Sequence, residues 1–305
     1  GNLNNHIGVP LTVLAIDNTI EIAIVEMGAN HVGEIAALCE IANPTHGFIT
    51  NIGKAHIGTF GGFENIVRGK SELYQHLIKN EGVVWINSGN LVLANMARRF
   101  SKPLFYPAAG DFFHCKVVSA DPYLRIGTET GEIIQSRLIG EYNFENIAVA
   151  LCVGKYFEVN MKEAKEAIEE YVPDNMRSQI VTKGTNTIIL DAYNANPSSM
   201  EVAIRSLAQM KAKKRVAILG DMYELEEEST LEHRKLGELL AENQIDVGLL
   251  CGKLIESALR TNASLRYFHS KGKLVEFLKD NPIEDAVILV KASRGMALES
   301  VVEYL

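Results

Sequence analysis

No two of the four cysteines stand close together. Cys39, Cys115, Cys152 and Cys251 are scattered through 305 residues without a CxxC pair. A thiolate zinc site and a disulfide framework both drop out, and a reducing cytoplasm is the expected setting. No apolar run approaches the ~20 residues needed to cross a bilayer, and the N-terminus carries no signal-peptide pattern, so membrane insertion is not expected. Long basic runs are missing as well. With 30 Lys and Arg against 38 Asp and Glu the formal net charge is −8, which argues against nucleic acid as a partner. An anionic substrate must be met by local Lys, Arg or metal, because the overall field repels it. Two nucleotide motifs are also absent. No G-x-G-x-x-G follows a strand, which makes a plain nicotinamide-binding enzyme a poor reading. No G-x-x-x-x-G-K-[ST] phosphate loop occurs either. Gly53-Lys54-Ala55 and Gly69-Lys70-Ser71 come nearest, and both lack the upstream glycine.

What is present is an α/β alternation with 47% hydrophobic residues, enough for a real core, and a length that suggests two domains. Glu21 to Met27 reads as a buried strand and His31 to Ala42 as a helix. Gly47 to Ile52 is the next strand, Phe63 to Ile78 the next helix, and Gly82 to Ile86 a strand again. Between about Leu104 and Leu138 the texture becomes that of an antiparallel patch, with Thr130-Gly131 as a turn. Helices follow over Asn143–Phe157 and Lys162–Tyr171. Pro173-Asp174-Asn175 breaks the chain as a linker. A second alternation then has strands near Ile188–Leu190, Arg215–Leu219, Val247–Leu250 and Val287–Val290. The expected domains are 1–174, with the patch at 104–138, and 175–305, a Rossmann-like unit.

Ligands of open α/β sheets bind beyond the C-terminal strand ends, so the polar residues there come first. Glu26 ends the first strand in Glu26-Met27-Gly28-Ala29-Asn30. A carboxylate in that place is costly to bury unpaired, and by itself it can simply partner a helix cap or an ion pair. His56 follows Thr50-Asn51-Ile52-Gly53, and Lys70 sits in Gly69-Lys70-Ser71-Glu72. Each alone reads as an ordinary loop or surface residue.

Together, EMGAN, TNIGKAH and GKSEL resemble, in order, the central domain of the Mur ligases, ATP-dependent amide-bond-forming enzymes of bacterial cell-wall synthesis. The opening GNLNNHIGVPLT resembles the stretch just after that family's phosphate loop. The resemblance implies that Glu26, His56 and a carbamylated Lys70 hold or orient Mg²⁺ at the ATP phosphates. That chemistry is sensible, since Mg²⁺ takes oxygen ligands and CO₂ addition turns a cation into a bidentate anion. Gly140-Glu141-Tyr142-Asn143-Phe144-Glu145-Asn146 resembles the family's G-x-H-N-x-x-N element, with Tyr142 in place of His. Asn143 and Asn146 are thereby implied at the adenine, although Asn143 can equally cap a helix. Arg177 resembles the linker arginine that reaches the nucleotide phosphates, and Asp191 the aspartate that meets the ribose.

The run Asp191-Ala192-Tyr193-Asn194-Ala195-Asn196-Pro197-Ser198-Ser199-Met200 has the form typical of the family members that add D-Ala-D-Ala to UDP-N-acetylmuramoyl-tripeptide. Leu219-Gly220-Asp221-Met222-Tyr223-Glu224-Leu225 and Lys291-Ala292-Ser293-Arg294, with Ala292 in place of Gly, fit the same members. Asn194, Asn196, Lys291, Ser293 and Arg294 are implied at the incoming dipeptide. Asp221 and His233 are expected to make structural hydrogen bonds.

The resemblance therefore implies an α/β protein of two parts. The first is a central, mostly parallel ATPase-type domain, N-terminally truncated, and the second a C-terminal Rossmann-like domain. It is expected to act as a monomer, with ATP and Mg²⁺, through an acyl phosphate. The family carries its phosphate loop and a UDP-binding domain upstream of the opening stretch. These 305 residues alone are thus expected not to turn over ATP. Other readings are a different Mur or folylpolyglutamate-type ligase, which the DAYNANP run argues against, and a non-catalytic binding fragment.

Overall fold

The computed structural model describes residues 2–53, 57–173, 176–223 and 225–305. The chain packs as two compact units, Gly1–Lys116 with Glu145–Asn160, and Val117–Phe144 with Met161–Leu305. Two residues of the expected linker, Asp174 and Asn175, lie outside the described residues.

The first unit holds helices α1 (Gly8–Leu14), α2 (Glu34–Ala42), α3 (Ile57–Phe60), α4 (Phe63–Lys70), α5 (Glu72–Lys79), α6 (Leu91–Met96) and α7 (Phe144–Tyr156). Its sheet has three parallel strands in the order β1 (His46–Gly47), β2 (Val83–Asn87) and β3 (Leu104–Tyr106). The core forms because β2 is apolar on both faces and α5 turns Tyr74 and Leu77 onto it, both fully buried. A side chain such as Leu77 contributes roughly 1.5–3 kcal/mol by leaving water.

Three expectations for this unit change. Glu21 to Met27 is not a strand. It has no ladder partner among the described residues, and Ile22 and Ile24 face solvent, 55% and 87% exposed, while Val25 and Met27 pack beside α2. A strand needs hydrogen-bonded company, which apolar alternation alone does not supply. The strand expected over Gly47–Ile52 shrinks to His46–Gly47. The helix expected over 63–78 breaks at Ser71, whose hydroxyl donates back to the Arg68 carbonyl at 2.8 Å.

The second unit contains a three-stranded sheet, β4 (Cys115–Ala120), β5 (Tyr123–Thr128) and β6 (Ile133–Ile139), with β5 and β6 antiparallel. The run expected as one patch is therefore split, because β3 pairs in parallel with β2 in the first unit. Helix α8 (Met161–Glu170) packs on β6. A six-stranded sheet follows, formed by β7 (Gln179–Lys183), β8 (Asn186–Asp191), β9 (Lys214–Gly220), β10 (Val247–Cys251), β11 (Arg266–Phe268) and β12 (Ala286–Lys291). Its order is β11-β10-β9-β12-β8-β7, all parallel except the edge strand β7. Near-continuous apolar runs mark its inner strands, as burial on both faces requires. Helices α9 (Pro197–Gln209) and α10 (Ser229–Glu242) cover one face through Ile204, Leu207, Leu236 and Leu240. Helix α11 (Lys271–Asp280) covers the other through Leu274 and Leu278. This is the Rossmann-like architecture expected of the region, with its strand ends at Asp191, Gly220, Cys251 and Lys291 lying side by side.

Candidate active site

In the first unit, Glu26 is exposed and its Oε1 accepts from the side-chain amides of Asn4 at 2.9 Å and Asn2 at 3.4 Å. The Asn-rich opening of the chain thus orients a carboxylate without adding charge. The Asn4 carbonyl also accepts from Gly28 N–H at 2.8 Å, tying the opening to the EMGAN turn. Lys70 ends α4 half-buried, and its Nζ donates to the Asn51 carbonyl at 2.8 Å. Burial pushes the Lys70 ammonium below the usual lysine range, which favours the neutral, nucleophilic amine. His56 lies outside the described residues. Among the described residues no cluster of three or more His, Cys, Asp or Glu gathers as a metal would need. The oxygen of Glu26 suits a hard cation such as Mg²⁺, whereas Lys70 as an amine supplies no oxygen.

Sequence reasoning passed over Glu72. It is 7% exposed, and its carboxylate accepts from Gly33 N–H at 2.6 Å and Ala36 N–H at 2.9 Å, capping α2 from another helix. Gly33 takes φ +97, which explains why α2 starts at Glu34 rather than His31. A buried carboxylate must find donors, and a helix N-terminus offers them. Its signal in the sequence was a lone acid in the first turn of an amphipathic helix.

In the second unit, parallel register sets Lys291 beside Asp191. Lys291 Nζ donates to Asp191 Oδ2 at 2.6 Å and to the Asn194 carbonyl at 2.9 Å. Asp191 Oδ1 accepts from Ser178 N–H at 3.3 Å. Asn194 is exposed, and its Oδ1 accepts from Ala195 N–H at 2.8 Å. Asn196 forms a capping box with Ser199 and, with Pro197 behind it, starts α9. The buried Ser293 hydroxyl accepts from Tyr223 N–H at 2.8 Å. Arg294 is exposed and pairs with Glu299 at 2.9 Å. Thus Asp191, Asn194, Lys291 and Ser293 come together at the strand ends, with Arg294 at the rim.

Arg177 stacks its guanidinium 4.3 Å above the Tyr193 ring. Asn143 donates from Nδ2 to the Ile139 carbonyl at 2.8 Å, and Asn146 lies exposed in the first turn of α7. Glu224 lies outside the described residues. Asp221 and His233 have structural roles. Asp221, 4% exposed, accepts from the N–H groups of Lys253, Leu254 and Ile255 at 2.9–3.0 Å. His233 is fully buried, accepting from Met222 N–H at 3.0 Å on Nε2 and donating from Nδ1 to the Ser229 carbonyl at 2.7 Å. Burial pushes its pKa below the usual range, so the ring is neutral.

The model of the Mur ligase middle domain matches residues 1–154, and that of the Mur ligase glutamate ligase domain matches residues 176–294. The chain belongs to the Mur ligase family. Within the family it is 34% identical to UDP-N-acetylmuramoyl-tripeptide–D-alanyl-D-alanine ligase of Bacillus subtilis, over 100% of this chain and 68% of the relative. The crystal structure of MurF from Acinetobacter baumannii superposes with a TM-score of 0.88 at 30% identity, over 99% of this chain and 68% of that one. MurF ligase from Thermotoga maritima in complex with ADP gives 0.86 at 26%, over 100% and 71%.

Proposed function

We propose that the chain serves an ATP-dependent ligase that joins D-Ala-D-Ala to UDP-N-acetylmuramoyl-tripeptide in peptidoglycan synthesis. The observation that carries this is the set of Asp191, Asn194, Lys291, Ser293 and Arg294 at the strand ends of the second unit. These residues stand in the motifs that resemble the D-Ala-D-Ala-adding members. In the reaction, a carboxylate oxygen of the tripeptide attacks the γ-phosphorus of ATP and ADP leaves. The dipeptide amine then attacks the acyl carbon, phosphate leaves and the amine gives up a proton. Much of the acceleration comes from holding these groups in line and neutralising charge.

In this reading Glu26, His56 and carbamylated Lys70 hold Mg²⁺, which when bound neutralises charge on the phosphates. The lowered Lys70 pKa supports carbamylation, since only the neutral amine adds CO₂. Asn143 and Asn146 meet adenine, Asp191 the ribose and Arg177 the phosphates. Arg294 with Ser293, Asn194 and Asn196 faces the dipeptide, and Lys291 acts by holding Asp191. Buried cysteines suit a cytoplasmic setting, and no described helix is long and apolar enough to cross a membrane. The enzyme is expected to act as a monomer. Saturation-transfer NMR on the chain with Mg-ADP, and separately with D-Ala-D-Ala, tests the reading. Contact with both is expected, lost for ADP in D191A and for the dipeptide in R294A. Contact with neither would reduce the chain to a docking module.

A further inference from the structure

Tyr142 stands where the family element carries His, and Tyr193 lies inside the DAYNANP run without an assigned role. Both bear on Arg177. Tyr142 Oη and Ser178 Oγ share a hydrogen bond of 2.5 Å, and Ser178 is 4% exposed. Ser178 N–H in turn donates to Asp191. The segment bends sharply here, because Met176 and Ser178 on either side of Arg177 have φ +58 and +53, a conformation that non-glycine residues rarely hold without outside support. Tyr193 supplies the second support. Its ring lies under the Arg177 guanidinium at 4.3 Å, and its N–H donates to the Met176 carbonyl at 3.3 Å. Gly140 makes the first support possible. It has φ +79, and a Cβ there would fall 2.2 Å from Tyr142 Cε1, so only glycine lets the ring fold back toward Ser178.

We infer that Tyr142 and Tyr193 form a two-point clamp that holds Arg177 in one place before any nucleotide arrives. Tyr142 acts through Ser178, and Tyr193 acts through its ring. Both are positioning residues. A long side chain fixed in advance gives up less freedom on meeting an anion, so the clamp strengthens whatever Arg177 binds. The part played by Arg177 toward phosphate rests on the function proposed above, whereas the clamp itself does not.

The bond between Arg177 and Ser178 is a trypsin site, and its cleavage requires the segment to open. The test is the rate of tryptic cleavage at Arg177–Ser178, normalised to cleavage after Lys211, whose side chain is 91% exposed. Y142F and S178A are each expected to raise the normalised rate about fivefold, as loss of one hydrogen bond would. The double variant Y142F/S178A should be no faster than either single one, because both remove the same bond. Y193L should raise the rate as well. A wild-type rate in Y142F, or a double variant whose effects multiply, would overturn the clamp. A second arm measures ADP affinity by NMR. Y142F should weaken ADP in the wild-type background and not in R177A. If R177A itself leaves ADP binding unchanged, the phosphate role of Arg177 fails, and the cleavage rates still decide the clamp.

Discussion

Lys291 and Asp191 meet at 2.6 Å with the lysine side chain 2% and the aspartate 15% exposed. Their burial differs, so their removal should differ too. D191A strands an ammonium deep in the protein, whereas K291M leaves a carboxylate that solvent partly reaches. We expect D191A to cost about 3 kcal/mol or more and K291M clearly less. Urea unfolding followed by circular dichroism measures both, and equal losses would contradict the argument.

The thiols should be inert in the folded protein. All four are buried. Burial, reinforced by the negative charge of Glu72, pushes Cys39 to about 11. Burial, with Asp221 nearby, does the same for Cys251, also to about 11. At pH 8 the reactive thiolate is then a very small fraction. Ellman's reagent should find almost no thiol in the native chain and four after denaturation. Rapid reaction of any native thiol would show that a cysteine is accessible.

Stability should fall on acidification through His233. Its folded pKa is depressed by burial below the usual 6.5, so the unfolded chain takes up a proton before the folded one does. The stabilisation is present in full above pH ~6.5 and is lost as pH drops toward the folded value. H233N keeps a donor and an acceptor but does not titrate. It should flatten the fall in urea midpoint between pH 7.5 and 5.5. An unchanged slope would mean that the ring takes up its proton alike in the folded and the unfolded chain.

His46 offers an optical version of the same measurement. It stacks on Trp85, the chain's single tryptophan, with ring centroids 5.5 Å apart and planes 24° from parallel. Burial depresses its pKa. A protonated imidazole in that place should quench the indole, so Trp85 fluorescence should drop with a midpoint below 6.5. H46F should abolish the transition. A midpoint above 6.5 would mean that the surrounding rings stabilise the imidazolium instead.

The second unit was the more legible in the sequence, and the reason is physical. Parallel strands buried on both faces must be apolar throughout, so β8, β9, β10 and β12 announce themselves locally. The segment from Glu21 to Met27 has the same apolar look, but being a strand depends on a neighbour that its own residues cannot specify. Ser71 broke a helix through one back-directed hydroxyl, an effect too small to see in a periodic pattern. At the candidate site the motifs singled out residues and left their partners hidden. Lys291 and Asp191 are 100 positions apart, and only the β8–β12 register joins them. Glu72 escaped because its donors lie on a helix more than thirty residues upstream. Tyr142 was visible as a departure from pattern, yet its tie to Ser178 required the fold.

Asp221 has one more consequence. Its carboxylate fills a turn in which three consecutive amides converge, and a Cβ built on Gly252 would fall 2.2 Å from it. The protein thus contains an anion receptor whose guest is covalently attached. Replacing Asp221 by glycine would empty that receptor without dismantling it, and acetate supplied from solution has the shape of the missing side chain. The D221G protein should therefore melt higher as acetate is added while the wild type does not, turning a buried structural contact into a measurable ligand-binding equilibrium.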